Sequence, residues 1–241
     1  MVSGLYRDRG VVLRTIKLGE TDRIVSILTQ GNGKVRAVAK GIRRPGSRFG
    51  ARLEPTSHVA LQCYRGRELY VVTQVETIDA FRPLREHYAS LTHAVSMLEA
   101  ADTVAQEHER NQALYRMLVG GLRTLATTPS ALVAPAFFWK LLSLEGFHPL
   151  LDGCARCGDE TGPFPAFDYG EGGLLCEACS RFGGRRLRPA ALELLRRILG
   201  GGLAGALAEP GGAEAVAEVE RLGVGALEYH LERRLRSAAL M

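Results

Sequence analysis

The chain has 241 residues, 46% apolar and 24% charged, proportions that exclude a disordered polypeptide. Apolar runs such as Phe137-Phe138-Trp139 are short, far below the roughly 18 residues that cross a bilayer, and Met1 to Arg9 hold no apolar stretch of a secretory signal. These features argue against an exported or membrane-spanning protein, and the expected location is the cytoplasm.

Charge is unevenly divided. Residues 1–82 hold 15 Lys and Arg against 7 Asp and Glu, a net of +8, and residues 83–241 hold 16 against 19, a net of −3. The first third is therefore the expected surface for an anionic partner. Arg outnumbers Lys 27 to 4, a bias that phosphate recognition and a GC-rich genome explain equally well.

The first third reads as five short strands. Val11 to Ile16 and Arg23 to Thr29 are β-rich, and Gly31-Asn32-Gly33-Lys34 supplies the positive-φ residues of a tight hairpin. In Val35 to Lys40, apolar residues at 35, 37 and 39 alternate with cations at 36 and 40, the pattern of a half-buried strand. His58 to Tyr64 and Leu69 to Ile78 form a second hairpin around Arg65-Gly66-Arg67. Five strands with Gly-rich turns fit a small closed barrel, an OB-fold in preference to an SH3-like one.

Between the third and fourth strands, Lys40, Arg43, Arg44, Arg48 and Arg52 place five cations and no acid in 13 residues. Gly and Pro end the strand, and Phe49 offers an aromatic face. A mobile cationic loop of this kind suits the phosphate backbone of single-stranded nucleic acid, with the ring free to stack. The plain alternative is a solvated loop that aids solubility. No sequence-reading motif accompanies it, so weak sequence preference is expected.

The remainder reads as helices around a metal site. Leu84, Tyr88, Leu91, Val95 and Leu98 recur at helical spacing from Pro83 to about residue 107, and Leu114 to Leu125 form a second helix. A third spans Leu132 to Glu145 with Gly146 as its C-cap, a fourth starts at Pro189 and stops at Gly200-Gly201-Gly202, and a last lies within 213–237. Bundle packing accounts for these faces. Phe137, Phe138 and Trp139 either pack in the core or frame a groove for a peptide.

Cys154-Ala155-Arg156-Cys157 and Cys176-Glu177-Ala178-Cys179 are two C-x-x-C turns separated by 18 residues. Two such turns close a tetrahedron of thiolates around Zn²⁺, and four sulfurs leave no open coordination position, so a structural zinc is expected. Stretch 153–183 is too short to fold alone, and the ion replaces a core there. Arg181, Arg185, Arg186 and Arg188 follow as a second cationic cluster, for which nucleic-acid contact and local charge balance are both open. Cys63 lies outside the motif and is expected to be buried.

Enzyme motifs are missing. There is no P-loop, H-E-x-x-H or G-x-S-x-G. Gly200 to Gly205 match G-x-G-x-x-G as a string but follow a helix, without the strand that builds a phosphate cradle. A non-enzyme is expected.

The chain resembles the RecO family of bacterial recombination mediators. The resemblance is carried by Arg9-Gly10-Val11-Val12-Leu13, Gly19-Glu20-Thr21-Asp22, Gly31-Asn32-Gly33-Lys34 and Ala39-Lys40-Gly41-Ile42-Arg43-Arg44. Phe138-Trp139-Lys140-Leu141-Leu142, Gly146-Phe147-His148-Pro149 and the first C-x-x-C extend it, and it fades past residue 200. It implies a non-enzymatic protein that binds single- and double-stranded DNA and anneals complementary strands. It further implies association with RecR and the C-terminal tail of SSB, and help to RecA in displacing SSB in the RecF pathway, at the nucleoid. The family's basic barrel carries DNA contacts, a role mapped here onto Lys34, Arg36, Lys40, Arg43, Arg44, Arg48 and Arg52. The expected architecture is α+β: an OB-fold over 1–80, helices over 81–152 and 184–241, and a four-Cys zinc ribbon over 153–183. A zinc-ribbon RNA-binding or ribosome-associated module is the alternative.

Overall fold

The computed structural model describes residues 4–66 and 68–237; Arg67, assigned above to a hairpin tip, lies outside them. The chain divides between Pro129 and Ser130 into two compact units.

In the first unit, strands β1 (Leu5–Leu18), β2 (Asp22–Thr29), β3 (Gly33–Ala39), β4 (His58–Tyr64) and β5 (Tyr70–Asp79) close a barrel in the order β1-β2-β3-β5-β4, the OB-fold arrangement. Closure depends on the length of β1, which starts six residues earlier than its apolar run indicates. Its first half pairs with β4, from Leu5↔Tyr64 to Val11↔His58, and its second half pairs with β2, from Gly10↔Thr29 to Leu18↔Asp22. A register shift between Val12 and Arg14 bends the strand from one partner to the other. Parallel pairing of Ala37 with Tyr70 and Val38 with Val71 completes the ring. Val12, Val25, Ile27, Val35, Ala37, Val59, Leu61 and Cys63 fill it. Cys63 is buried there as expected.

The segment after β3 departs from a free loop. Ile42, Phe49 and Leu53 are buried in the barrel core, and Gly50–Leu53 form a 3-10 turn. Phe49 is only 2% exposed, so its ring is a core group and offers no stacking face to solvent. The reason is geometric: a five-stranded barrel has an open end, and these three apolar side chains plug it.

The first long helix breaks in two, α1 (Arg82–Glu86) and α2 (Tyr88–Val104), because His87 is extended. Helix α3 (Gln112–Thr127) follows, capped by Asn111, whose side chain accepts from Leu114 N at 2.9 Å. All three belong to the barrel unit although the composition changes at residue 80. His58 Nε2 meets Tyr115 Oη at 2.8 Å inside this junction, and the β2–β3 turn fits beneath the α2–α3 connection. A Cβ on Gly33, at φ +64, would lie far inside van der Waals contact with Glu109 O, so only glycine fits there.

In the second unit, α4 (Val133–Leu144) is buried nearly all round. Phe137, Phe138 and Trp139 are 4%, 0% and 1% exposed, which settles them as core and removes the groove. Three consecutive aromatics are accommodated because neighbours cover α4 on every side: Trp139 stacks edge-on against Phe167 and donates Nε1–H to Val219 O at 2.9 Å. Strands β6 (Leu150–Cys154), β7 (Ala166–Asp168), β8 (Gly173–Leu175) and β9 (Arg185–Arg186) form a sheet ordered β6-β8-β7-β9. Helices α6 (Pro189–Leu199) and α8 (Ala213–His230) fall where the sequence places them, and a single-turn helix α5 (Glu177–Ser180), not expected from the sequence, forms within the second cysteine turn. A short α7 (Leu203–Ala208), which the sequence does not announce, starts directly after the Gly200-Gly201-Gly202 run that ends α6.

Candidate metal centre and cationic surfaces

β6 ends on Cys154 and turns through Cys157 with Gly158 at φ +78. Asp159 O accepts Cys154 N–H at 2.8 Å and Cys154 O accepts Gly158 N–H at 2.9 Å, fastening the turn. β8 leads into Cys176, and the single turn of α5 brings Cys179 back beside it, with Ser180 N–H donating to Cys176 O at 2.9 Å. The four sulfurs lie within 4.8 Å of one another, and Cys157 and Cys176 Sγ are 3.7 Å apart. A tetrahedron of about 2.3 Å Zn–S bonds has sulfur–sulfur edges of about 3.8 Å, so the cluster is able to hold a metal ion.

Electrostatics agree with that fit. Burial works to raise the Cys154 thiol, but the backbone N–H groups of Cys176, Cys157 and Arg156 overcome it and bring it down to about 6. Cys179 is pushed up to about 12 by burial and by the neighbouring sulfurs. One thiolate is favoured and further ones repel, the condition a bound dication relieves. Arg156 braces the first turn from outside, donating to Glu171 Oε1 at 2.9 Å and to Cys179 O at 3.3 Å.

The barrel cations fall into two groups. Lys34 and Arg36 face the α2–α3 connection: Lys34 lies 3.4 Å from the Asp102 carboxylate and Arg36 lies 3.7 Å from Glu107. Asp102 and Glu107 are partners that sequence alone does not reveal, since they lie some 70 residues downstream. Lys40, Arg43, Arg44, Arg48 and Arg52 are all exposed and make no ion pair among the described residues. Arg43 donates to Glu20 O at 2.8 Å, Arg52 donates to Arg48 O, and the Arg48 guanidinium sits 5.0 Å from the Phe49 ring centre. Those contacts hold the chains in place without neutralising them. Asp22, which feels the charges of Arg44 and Lys40, is held below the usual carboxylate range mainly by the Gly41 N–H and the Thr21 hydroxyl.

In the second cluster, Arg188 is committed to α8, 2.6 Å from Glu214 and 3.8 Å from Glu218. Arg181, Arg185 and Arg186 are exposed. Among the described residues, no helix is long and apolar enough to cross a membrane.

The chain matches the family models Recombination protein O N terminal over residues 1–81 and Recombination protein O C terminal over residues 85–239. It belongs to the RecO family of DNA repair proteins. Among its RecO relatives, a protein of Nocardioides sp. named DNA repair protein RecO is 42% identical, with 98% of each chain covered. Proteins of the same name from Frankia casuarinae and Thermobifida fusca are 43% and 42% identical, covering 97% and 98% of this chain and 96% and 98% of theirs. The first RecO model ends between β5 and α1, and the second begins within α1.

Proposed function

We propose that this RecO-family chain binds single- and double-stranded DNA through the barrel's cationic strip, with little sequence preference, and anneals complementary strands. With RecR it helps RecA replace SSB on gapped DNA, contacting the SSB C-terminal tail. Zinc on Cys154, Cys157, Cys176 and Cys179 braces the fold, since a four-sulfur shell leaves no position for a substrate. The observation that supports the reading is the strip itself: five cations on the segment 40–52, exposed and without an ion pair among the described residues, on a segment anchored in the barrel core by Ile42, Phe49 and Leu53. Annealing joins two polyanions, so phosphates must be neutralised while base edges stay free to pair, and backbone-directed Arg and Lys contacts do this. Lys34 and Arg36 have a docking role within the barrel unit and contribute to the field rather than to contact.

The test is fluorescence annealing of complementary oligonucleotides, bare and SSB-coated, with RecR and RecA added in a second stage. The expected result is faster annealing in both cases, lost on charge reversal of Arg43, Arg44 and Arg48. No acceleration at any salt concentration overturns the reading, and acceleration confined to RNA oligonucleotides replaces it with RNA binding.

A further inference from the structure

Beyond the second cysteine turn the chain runs Arg181-Phe182-Gly183-Gly184-Arg185-Arg186. Phe182 is 81% exposed, the highest value among the large apolar side chains described. Its backbone is fastened to the metal-site turn: Phe182 N–H donates to Cys179 O at 3.1 Å and Gly183 N–H to Ser180 O at 3.4 Å. Gly184, at φ +94, lets the chain turn down tightly onto the sheet, where a Cβ would lie 3.0 Å from Leu175 Cδ1. The ring is thus presented to water on a braced turn. Arg181, Arg185 and Arg186 surround it in sequence, and none makes an ion pair among the described residues, whereas Arg156 and Arg188 on the same unit are paired.

The surface continues past the ring. Gly184 and Arg185 border a groove of about 360 Å³ that also holds Tyr169 and Tyr229. Arg185 and the two tyrosines also line an adjoining hollow of about 430 Å³ that reaches Arg233 and Arg234. The two tyrosine rings are 6.0 Å apart. Three carboxylates lie along this path. Asp168 Oδ1 accepts the N–H groups of Gly170 and Glu171 at 2.9 and 3.0 Å, and Glu228 Oε1 accepts Leu235 N–H at 2.9 Å. Glu232 is exposed at the rim.

An exposed aromatic face flanked by unpaired guanidinium groups, leading to further aromatic rings, is the composition of a track for unpaired nucleic-acid bases. We propose that this face of the second unit is a single-stranded DNA site. One base stacks on Phe182, Arg181, Arg185 and Arg186 hold the adjoining phosphates, and the Tyr169–Tyr229 groove takes the next part of the strand. A duplex has no exposed base face to offer Phe182, so the site selects single strands. This inference rests on the proposed DNA-binding function and extends it: with one strand on the barrel strip and another here, one chain holds both partners of an annealing reaction.

The test uses Phe182→Trp in the full-length, metal-loaded chain. The one natural tryptophan, Trp139, is 1% exposed, so its emission is a constant background. Thymine stacking is expected to quench the new Trp on addition of oligo-dT, with little change on heparin, which carries charge but no bases. In a second measurement, Phe182→Ala combined with Arg185→Ala and Arg186→Ala is made in a background where Arg43, Arg44 and Arg48 are already Glu. The residual oligo-dT affinity is expected to fall by at least tenfold further. Unquenched Trp emission alongside normal oligo-dT binding by anisotropy overturns this site and leaves the barrel reading standing. No oligo-dT binding by either readout overturns both. Equal quenching by heparin overturns the stacking role, and stronger quenching by oligo-U than by oligo-dT overturns the assignment to DNA.

Discussion

The Lys34 ammonium donates to the Asp102 carbonyl at 2.7 Å and sits 3.4 Å from the Asp102 carboxylate, which also accepts from Arg14 Nε at 2.6 Å. One acid on α2 therefore ties together two barrel strands, β1 and β3. Lys34 and Asp102 are 15% and 17% exposed, shielded enough for the pair to matter. Lys34→Ala is expected to destabilise the barrel unit by about 2 kcal/mol, read by urea unfolding, with the salt dependence of DNA binding unchanged. A lower salt slope in that variant places Lys34 on the DNA instead.

The exposed strip behaves oppositely. Replacing Arg43, Arg44 and Arg48 by Glu removes three phosphate contacts, which for single strands flattens the log–log salt slope by about 2. Stability should change little, because these exposed side chains make only surface contacts: Arg43 with a backbone carbonyl, Arg48 over the Phe49 ring, and Arg44 through its charge on Asp22. An unchanged slope takes the 40–52 segment out of the binding surface.

Much of this was legible in the chain. The strands announce themselves by alternation and Gly-rich turns, and the cysteines by spacing, because both signals are local. What escaped is nonlocal. Phe49 sits among five cations in sequence, but the open end of the barrel needs an apolar plug, and burial outweighs the polarity of its neighbours. Lys34 and Arg36 alternate outward as a half-buried strand requires, but the chain returns acids to them from far along the sequence: Asp102 beside the largely covered Lys34, and Glu107 beside Arg36, which stays partly exposed. Arg188 adjoins three unpaired arginines in sequence and differs from them only because α8 returns Glu214 and Glu218 to it.

The metal centre makes its own prediction. Cys154→Ser with Cys157→Ser leaves two sulfurs, too few for a closed tetrahedron. Bound metal is expected to fall from one equivalent per chain to near zero by elemental analysis, and the segment 150–188 to become protease-sensitive. The hydrophobic cluster there is small, comprising Cys154, Ala166, Leu175 and Cys176 with Phe164 and Cys179 at its edge, so much of its cohesion depends on the ion and is lost with it. Full metal occupancy in the double variant would show that the ion is held elsewhere.

Stability should also depend on pH through His58. Burial depresses its pKa below the ordinary 6.5, partly opposed by Asp79 and helped by Arg123 and Arg9; burial depresses His93 as well. A histidine whose folded pKa is lowered binds protons more readily when unfolded. Its contribution is fully present above pH 6.5 and is lost as pH falls toward the folded value. The barrel unit should therefore weaken below about pH 6.5. His58→Gln, which can still bond the Tyr115 hydroxyl, is expected to flatten that part of the curve, measured by chemical unfolding at pH 5 to 8. An equally steep decline in His58→Gln assigns the effect to other groups.

Phe49 allows the plug and the stacking roles to be told apart directly. As a core side chain with 2% exposure, its replacement by Ala is expected to cost about 3–5 kcal/mol, while Phe49→Leu, which keeps most of the apolar volume, costs much less. If the ring instead stacked on bases, both substitutions would weaken oligo-dT binding alike and leave the unfolding midpoint in place. The packing of Phe49 with Ile42 and Leu53 leads to the first outcome: a graded loss of stability from Leu to Ala. DNA affinity should be retained by Phe49→Leu and reduced in Phe49→Ala only to the extent that the 40–52 segment loses its anchor, which shows as protease cleavage near Gly46.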